Sequence, residues 1–152
     1  MKKLKLLSSA IIVLLFCFYS MPTDVHAQNS QMITLGGYKM KPRVATSGSG
    51  MVTVKLKGDT LTVHGDFENL TNRYSGAYIM VDIRGEGGNQ LYKLKTDLNE
   101  EQNGGKLKTK ENRFVLSAAE KQLLKEGKLY ITINTFDHRN GEIRGNIAPM
   151  GK

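Results

Sequence analysis

Tryptophan is absent from this chain, proline occurs three times, histidine three times and cysteine once. A single cysteine, Cys17, cannot close an intrachain disulfide or build a thiolate metal site. The three histidines, His26, His64 and His138, are too far apart for a recognisable metal or triad spacing. Long apolar runs are scarce too. The one present, Leu6 to Tyr19, is about 14 residues long and contains Ser8 and Ser9. A bilayer-spanning helix needs roughly 20. Lys2, Lys3 and Lys5 precede the run, and Val25-His26-Ala27 follows it with a small residue before Gln28. That layout predicts a cleavable export signal over residues 1–27 rather than a membrane anchor. Phe16, bulky and directly before Cys17, argues against lipid attachment there.

Cleavage at that point leaves 125 of the 152 residues, the size of one domain with a real core. It removes the only cysteine and one histidine. Lys+Arg falls from 22 to 19 and Asp+Glu from 14 to 13, so the formal charge drops from +8 to +6. The lysines are dispersed, from Lys39 to Lys128, with no aromatic ladder between them on which bases could stack. The basic balance is therefore read as a solvated surface with some attraction to anionic envelope polymers, not as nucleic-acid binding.

What is abundant is alternation with a period of two. Val52, Val54 and Leu56 alternate with polar neighbours, as do Leu61, Val63 and Phe67. Gly58-Asp59 between these runs reads as a two-residue hairpin loop. Ala77, Ile79, Val81 and Ile83 form a third run, Leu129, Ile131 and Ile133 a fourth, and Ile143 with Ile147 a fifth. Less regular strands are expected near Met32–Leu35, Gln90–Leu94 and Arg113–Leu116. One helix is expected over about 117–126. There Ser117-Ala118-Ala119-Glu120 forms a capping box, Leu123 and Leu124 give an apolar side, and Gly127 a stop. Seven or eight short strands and one short helix predict an all-β sandwich or closed barrel, a single domain over residues 28–152.

Groups for catalysis are few. His64 falls on the outward side of its strand, and His138 lies in a loop, 136–141, read as a plain connection. Gly85-Glu86-Gly87-Gly88 has no following helix to receive a phosphate. Asn69-Leu70-Thr71 is a formal glycosylation sequon, relevant only in a eukaryotic secretory host. The strongest short motif is Gly141-Glu142-Ile143-Arg144-Gly145, in which Glu142 and Arg144 share a strand face. It is read as structural, an ion-paired strand held in register.

Several blocks in order make the mature chain resemble a CHRD domain, the module first described in chordin and widespread in exported bacterial proteins. They begin with Gly37-Tyr38-Lys39-Met40-Lys41-Pro42-Arg43-Val44 and continue through Leu56-Lys57-Gly58-Asp59-Thr60-Leu61-Thr62-Val63-His64-Gly65, followed by Phe67, Leu70 and Ala77. Phe114-Val115-Leu116-Ser117 with the capped helix and Gly127-Lys128-Leu129-Tyr130-Ile131 comes next, and the 141–147 segment closes the series. The resemblance implies an immunoglobulin-like β-sandwich with a faint likeness to copper–zinc superoxide dismutases, and it implies no settled activity. Many bacterial members carry an Ala-His-Ile-His motif and a later histidine. This chain has Tyr78, Met80 and Asn134 at those positions.

Strand parity puts Tyr78, Met80 and Asp82 on one face and Tyr130, Thr132 and Asn134 on the non-core face of another strand. If the two strands are neighbours, these residues form a contact face, or else a surface covered by a second sheet. One methionine without imidazoles is a poor copper site. The expectation is an exported, non-catalytic binding or structural module that needs no cofactor. Its partner would be an unknown protein or envelope polymer, reached without a membrane span once the signal is removed. A metal-binding or dismutase-like enzyme is the alternative.

Overall fold

A computed structural model describes residues 29–85 and 87–151. The expected export segment, residues 1–27, lies outside the described residues, as does Glu86 of the glycine-rich loop. The described chain is all-β with one short helix, as the sequence predicts. Ten strands follow in order. They are β1 (Ser30–Gly36), β2 (Ser49–Lys57), β3 (Thr60–Glu68), β4 (Tyr74–Val81), β5 (Asn89–Lys93), β6 (Thr96–Leu98), β7 (Gly105–Leu107), β8 (Arg113–Val115), β9 (Leu129–Thr135) and β10 (Ile143–Asn146). The helix α1 (Ala118–Lys125) precedes β9. Strands β6 and β7 were not expected from the sequence: each is three residues long with one large aliphatic side chain, Leu98 or Leu107, whereas the equally short β8 has Phe114 and Val115 together.

All pairings are antiparallel, in the order β5-β4-β9-β10-β1-β2-β3-β7-β6, with β8 also on β3. The sheet curls so that its two halves share one core. They join at β10 and β1 through a single register pair, Gly36 with Arg144. At the far side the chain crosses directly from β5 to β6 through Leu94 and Lys95. The buried Asn112 side chain holds that crossing: its Oδ1 accepts from Lys95 N at 2.7 Å and its Nδ2 donates to Lys95 O at 2.9 Å. The two layers expected of a sandwich are therefore one continuous sheet.

Alternation decides which side chains enter the core. Val52 and Val54 of β2, Leu61 and Val63 of β3, Ala77 and Ile79 of β4, and Ile131 and Ile133 of β9 are fully buried in one cluster. Each large aliphatic side chain so buried contributes roughly 1.5–3 kcal/mol. The β2–β3 hairpin turns at Gly58 and Asp59, with Gly58 at φ +59°. The capping box of α1 is present: Glu120 N donates to Ser117 Oγ and Ser117 N to the Glu120 carboxylate. Tyr92 of β5 donates to the same carboxylate at 2.7 Å. Burial and this partner push the Tyr92 phenol up to about 12.

Glycine is needed where strands approach closely. A Cβ on Gly145 would lie 2.5 Å from Ile33 Cγ2 and 2.6 Å from Leu35 Cδ2, so its absence lets β10 settle against β1.

Candidate functional site

Strand β9 lies between β4 and β10 and is buried along its whole length on both faces. Leu129, Ile131 and Ile133 enter the core, while Tyr130, Thr132 and Asn134 point the other way. The register sets Tyr78 opposite Thr132, Met80 opposite Tyr130, and Arg144 opposite Thr132 from the other side. What covers this outer face is side chains, not a second sheet.

Arg144 is the centre of that cover. Its guanidinium stacks 3.6 Å above the centroid of the Tyr130 ring, donates Nη2 to Asp82 Oδ2 at 2.8 Å, and donates Nε to Asn146 Oδ1 at 3.0 Å. Both charged side chains of the pair are nearly enclosed, at 6 % and 9 % exposure. The hydrogen bond from Arg144, outweighing burial, holds the Asp82 carboxyl below its usual value. The outer Asp82 oxygen also accepts from Gly85 N, and the Tyr130 hydroxyl accepts from Gly88 N at 3.1 Å. Gly85 and Gly88 are thus pinned to the floor of the face.

Above it opens a cleft of about 440 Å³, within the range of small-molecule sites. Tyr78, Met80, Tyr130 and Asn134 all line it, so the structure brings these four together. Asp82 does not line it; with Arg144 it borders a neighbouring pocket of about 320 Å³. Tyr78 leans back along its own strand over Gly76, whose missing Cβ leaves room for the ring. Asn134 is locked in place: its Oδ1 accepts from Thr132 Oγ1 at 2.7 Å, and its Nδ2 donates to Arg139 O at 2.6 Å.

Sequence reasoning missed the rim. Met40, Lys41, Gln90, Arg139 and Asn140 also line the cleft. Most come from irregular segments, where no periodicity marks direction, and the 136–141 loop had read as a plain connection. Lys41 reaches across to donate its ammonium to Gly85 O at 3.1 Å.

The 141–145 motif is built into the frame. Glu142 and Arg144 do not pair with each other, because Glu142 turns toward a separate set of donors. Although fully buried, it accepts from Thr46 Oγ1 at 2.5 Å, Thr71 N at 2.8 Å and Thr135 Oγ1 at 2.8 Å. Burial alone would raise its carboxyl; these hydrogen bonds outweigh burial and hold it low. Gly141, at φ +124°, fits between Thr132 and Met40, where a Cβ would lie 2.5 Å and 2.6 Å from side-chain atoms.

The two described histidines stay apart from the cleft lining. His64 is on β3, with its Nδ1 buried and without a partner, and His138 is in the loop beyond β9. Among the described residues no group of three or more His, Cys, Asp or Glu is placed to hold a metal ion. Nor is any helix among them long and apolar enough to cross a membrane.

The CHRD domain family model matches residues 32–147, from within β1 to just past β10. Comparison with curated proteins and with solved structures finds no match.

Proposed function

The chain belongs to the CHRD domain family, and from that premise we propose that it is an exported, non-catalytic binding module. Its ligand face is the cleft floored by β4 and β9. The observation that carries this reading is the construction of that face. A rigid floor, fixed by the Asp82–Arg144 pair over Tyr130, sits beneath an open cleft lined by polar side chains. Such a surface is preorganised, so little ordering is needed when a partner binds. The groups facing the cleft suit recognition more than bond-making. They offer phenols, amides, two thioethers and cations, without a nucleophile held by a base among the described residues.

The export signal of residues 1–27 supports placing the module in the envelope or the medium. Envelope polymers or exported proteins are the partners within reach there.

Retention of the purified protein on its own cell-envelope fraction tests the reading. Tyr78→Ala should reduce retention about tenfold or more if a hot-spot aromatic is lost, with far-UV circular dichroism unchanged. Equal retention of both proteins would remove the cleft from the binding surface. Stoichiometric copper or zinc in the purified protein, with dismutase activity, would replace a binding module by an enzyme.

A further inference from the structure

The cleft is cationic as well as polar. Lys41, Arg139 and Arg144 line it, and no aspartate or glutamate does so among the described residues. The charge of Arg144 is offset by Asp82. Lys41 and Arg139 form no ion pair among the described residues, although Asp82 lies near enough to Lys41 for the ammonium to help hold its carboxyl low. Lys41 uses one of its three N–H donors on the Gly85 carbonyl, and the guanidinium of Arg139 carries five donors in a fork suited to an oxyanion. Both side chains are exposed, at the mouth of the cleft rather than under its floor.

The rest of the lining is matched to a hydroxyl-rich molecule. Gln90 and Asn140 offer amide donors and acceptors, and the half-buried Tyr78 ring leans back along β4 over Gly76. A flat aromatic face beside amides fits the apolar face of a sugar ring whose edge is polar. Arg139, without an ion pair among the described residues, and Lys41, offset only through space by Asp82, favour beside such a platform a sugar that carries negative charge. The net positive charge of the chain adds attraction at longer range.

We propose that this cleft binds an acidic saccharide or polyol, with Lys41 and Arg139 gripping its carboxylate or phosphate and Tyr78 packing against its carbon face. The proposal rests on the cleft being the ligand face and adds the chemical class of the ligand.

Calorimetric titration of the purified protein with three probes tests it: a galacturonate trimer, a glycerol-phosphate trimer and the neutral maltotriose. Binding of either acidic probe, weakened by salt, is expected, and which of the two binds names the charged group as carboxylate or phosphate. Lys41→Gln and Arg139→Gln, both at exposed positions, should each weaken that binding roughly tenfold, the effect of one charge-assisted hydrogen bond. Their unfolding curves should match the parent. Three results overturn the proposal: equal affinity for maltotriose, unchanged affinity in both variants, or no binding of either acidic probe. Maltotriose binding lost in Tyr78→Ala would overturn only the acidic ligand and leave the cleft as a binding face. Envelope retention indifferent to Tyr78→Ala would remove the face itself.

Discussion

Replacing Glu142 by glutamine changes one oxygen to nitrogen and removes a charge from a fully buried site. Its carboxylate accepts three hydrogen bonds, from Thr46, Thr71 and Thr135, and these tie the 46–48 and 71 segments to β9 and β10. Hydrogen bonds to charged groups contribute about 1.5–3 kcal/mol each and neutral ones about 0.5–1.5. Downgrading all three, with Thr135 obliged to turn its hydroxyl and accept, gives a loss of about 3 kcal/mol. For a domain of this size that corresponds to a fall in Tm of roughly 10 °C. Urea unfolding of Glu142→Gln at pH 7 should show a lower midpoint with an unchanged slope. The pH dependence supplies a second reading. Because the folded carboxyl is held below its ordinary value of 4.5, its contribution is complete above that value and fades as pH falls through the folded value. The gap between parent and variant should therefore narrow in acid. A variant within about 0.5 kcal/mol of the parent at pH 7, the ordinary scatter of an indifferent substitution, would refute the reasoning.

Asp82→Ala leaves the enclosed Arg144 guanidinium without its anion and should cost about 3 kcal/mol at pH 7 by thermal unfolding. The Asp82 carboxyl is also held low, so this cost too should shrink as pH falls through its folded value; a replacement at pH 7 that leaves the unfolding midpoint unchanged would contradict the pairing. Gly145→Ala places a methyl 2.5–2.6 Å from Ile33 and Leu35 and should cost about 1–3 kcal/mol through overpacking, read as a lowered urea midpoint. An unchanged midpoint would mean β10 has more room against β1 than the packing shows.

Much of the frame was legible in the residues alone. The runs at 52–56, 61–67 and 129–133 became β2, β3 and β9, and the 77–83 run became β4 only as far as Val81, with Ile83 beyond it exposed, because a period of two leaves each strand only one way to bury its apolar set. The capping box at Ser117 and Glu120 and the Gly58 turn were legible for the same reason: their physics is local. Parity also assigned Tyr78, Met80, Tyr130 and Asn134 to outward faces before any pairing was known, and the 32–147 family match follows the same ordered blocks.

Partnership across the sheet was not legible. Spacing put Glu142 and Arg144 on one face, able to pair with each other or with neighbouring strands; Glu142 bonds Thr46 and Arg144 bonds Asp82, at separations of 96 and 62 residues. Such distances in sequence carry no periodic signal; only the packing of β10 beside β9 and β1 selects between the candidates. The cleft followed the same rule. Its floor was written into strand alternation, whereas Lys41 and Arg139 reached it from loops whose directions depend on what they are anchored to. Sequence by itself determined which residues face outward on β4 and β9. The tertiary structure decided that two dispersed cations stand over them, because charge is placed by contacts that only the folded chain makes.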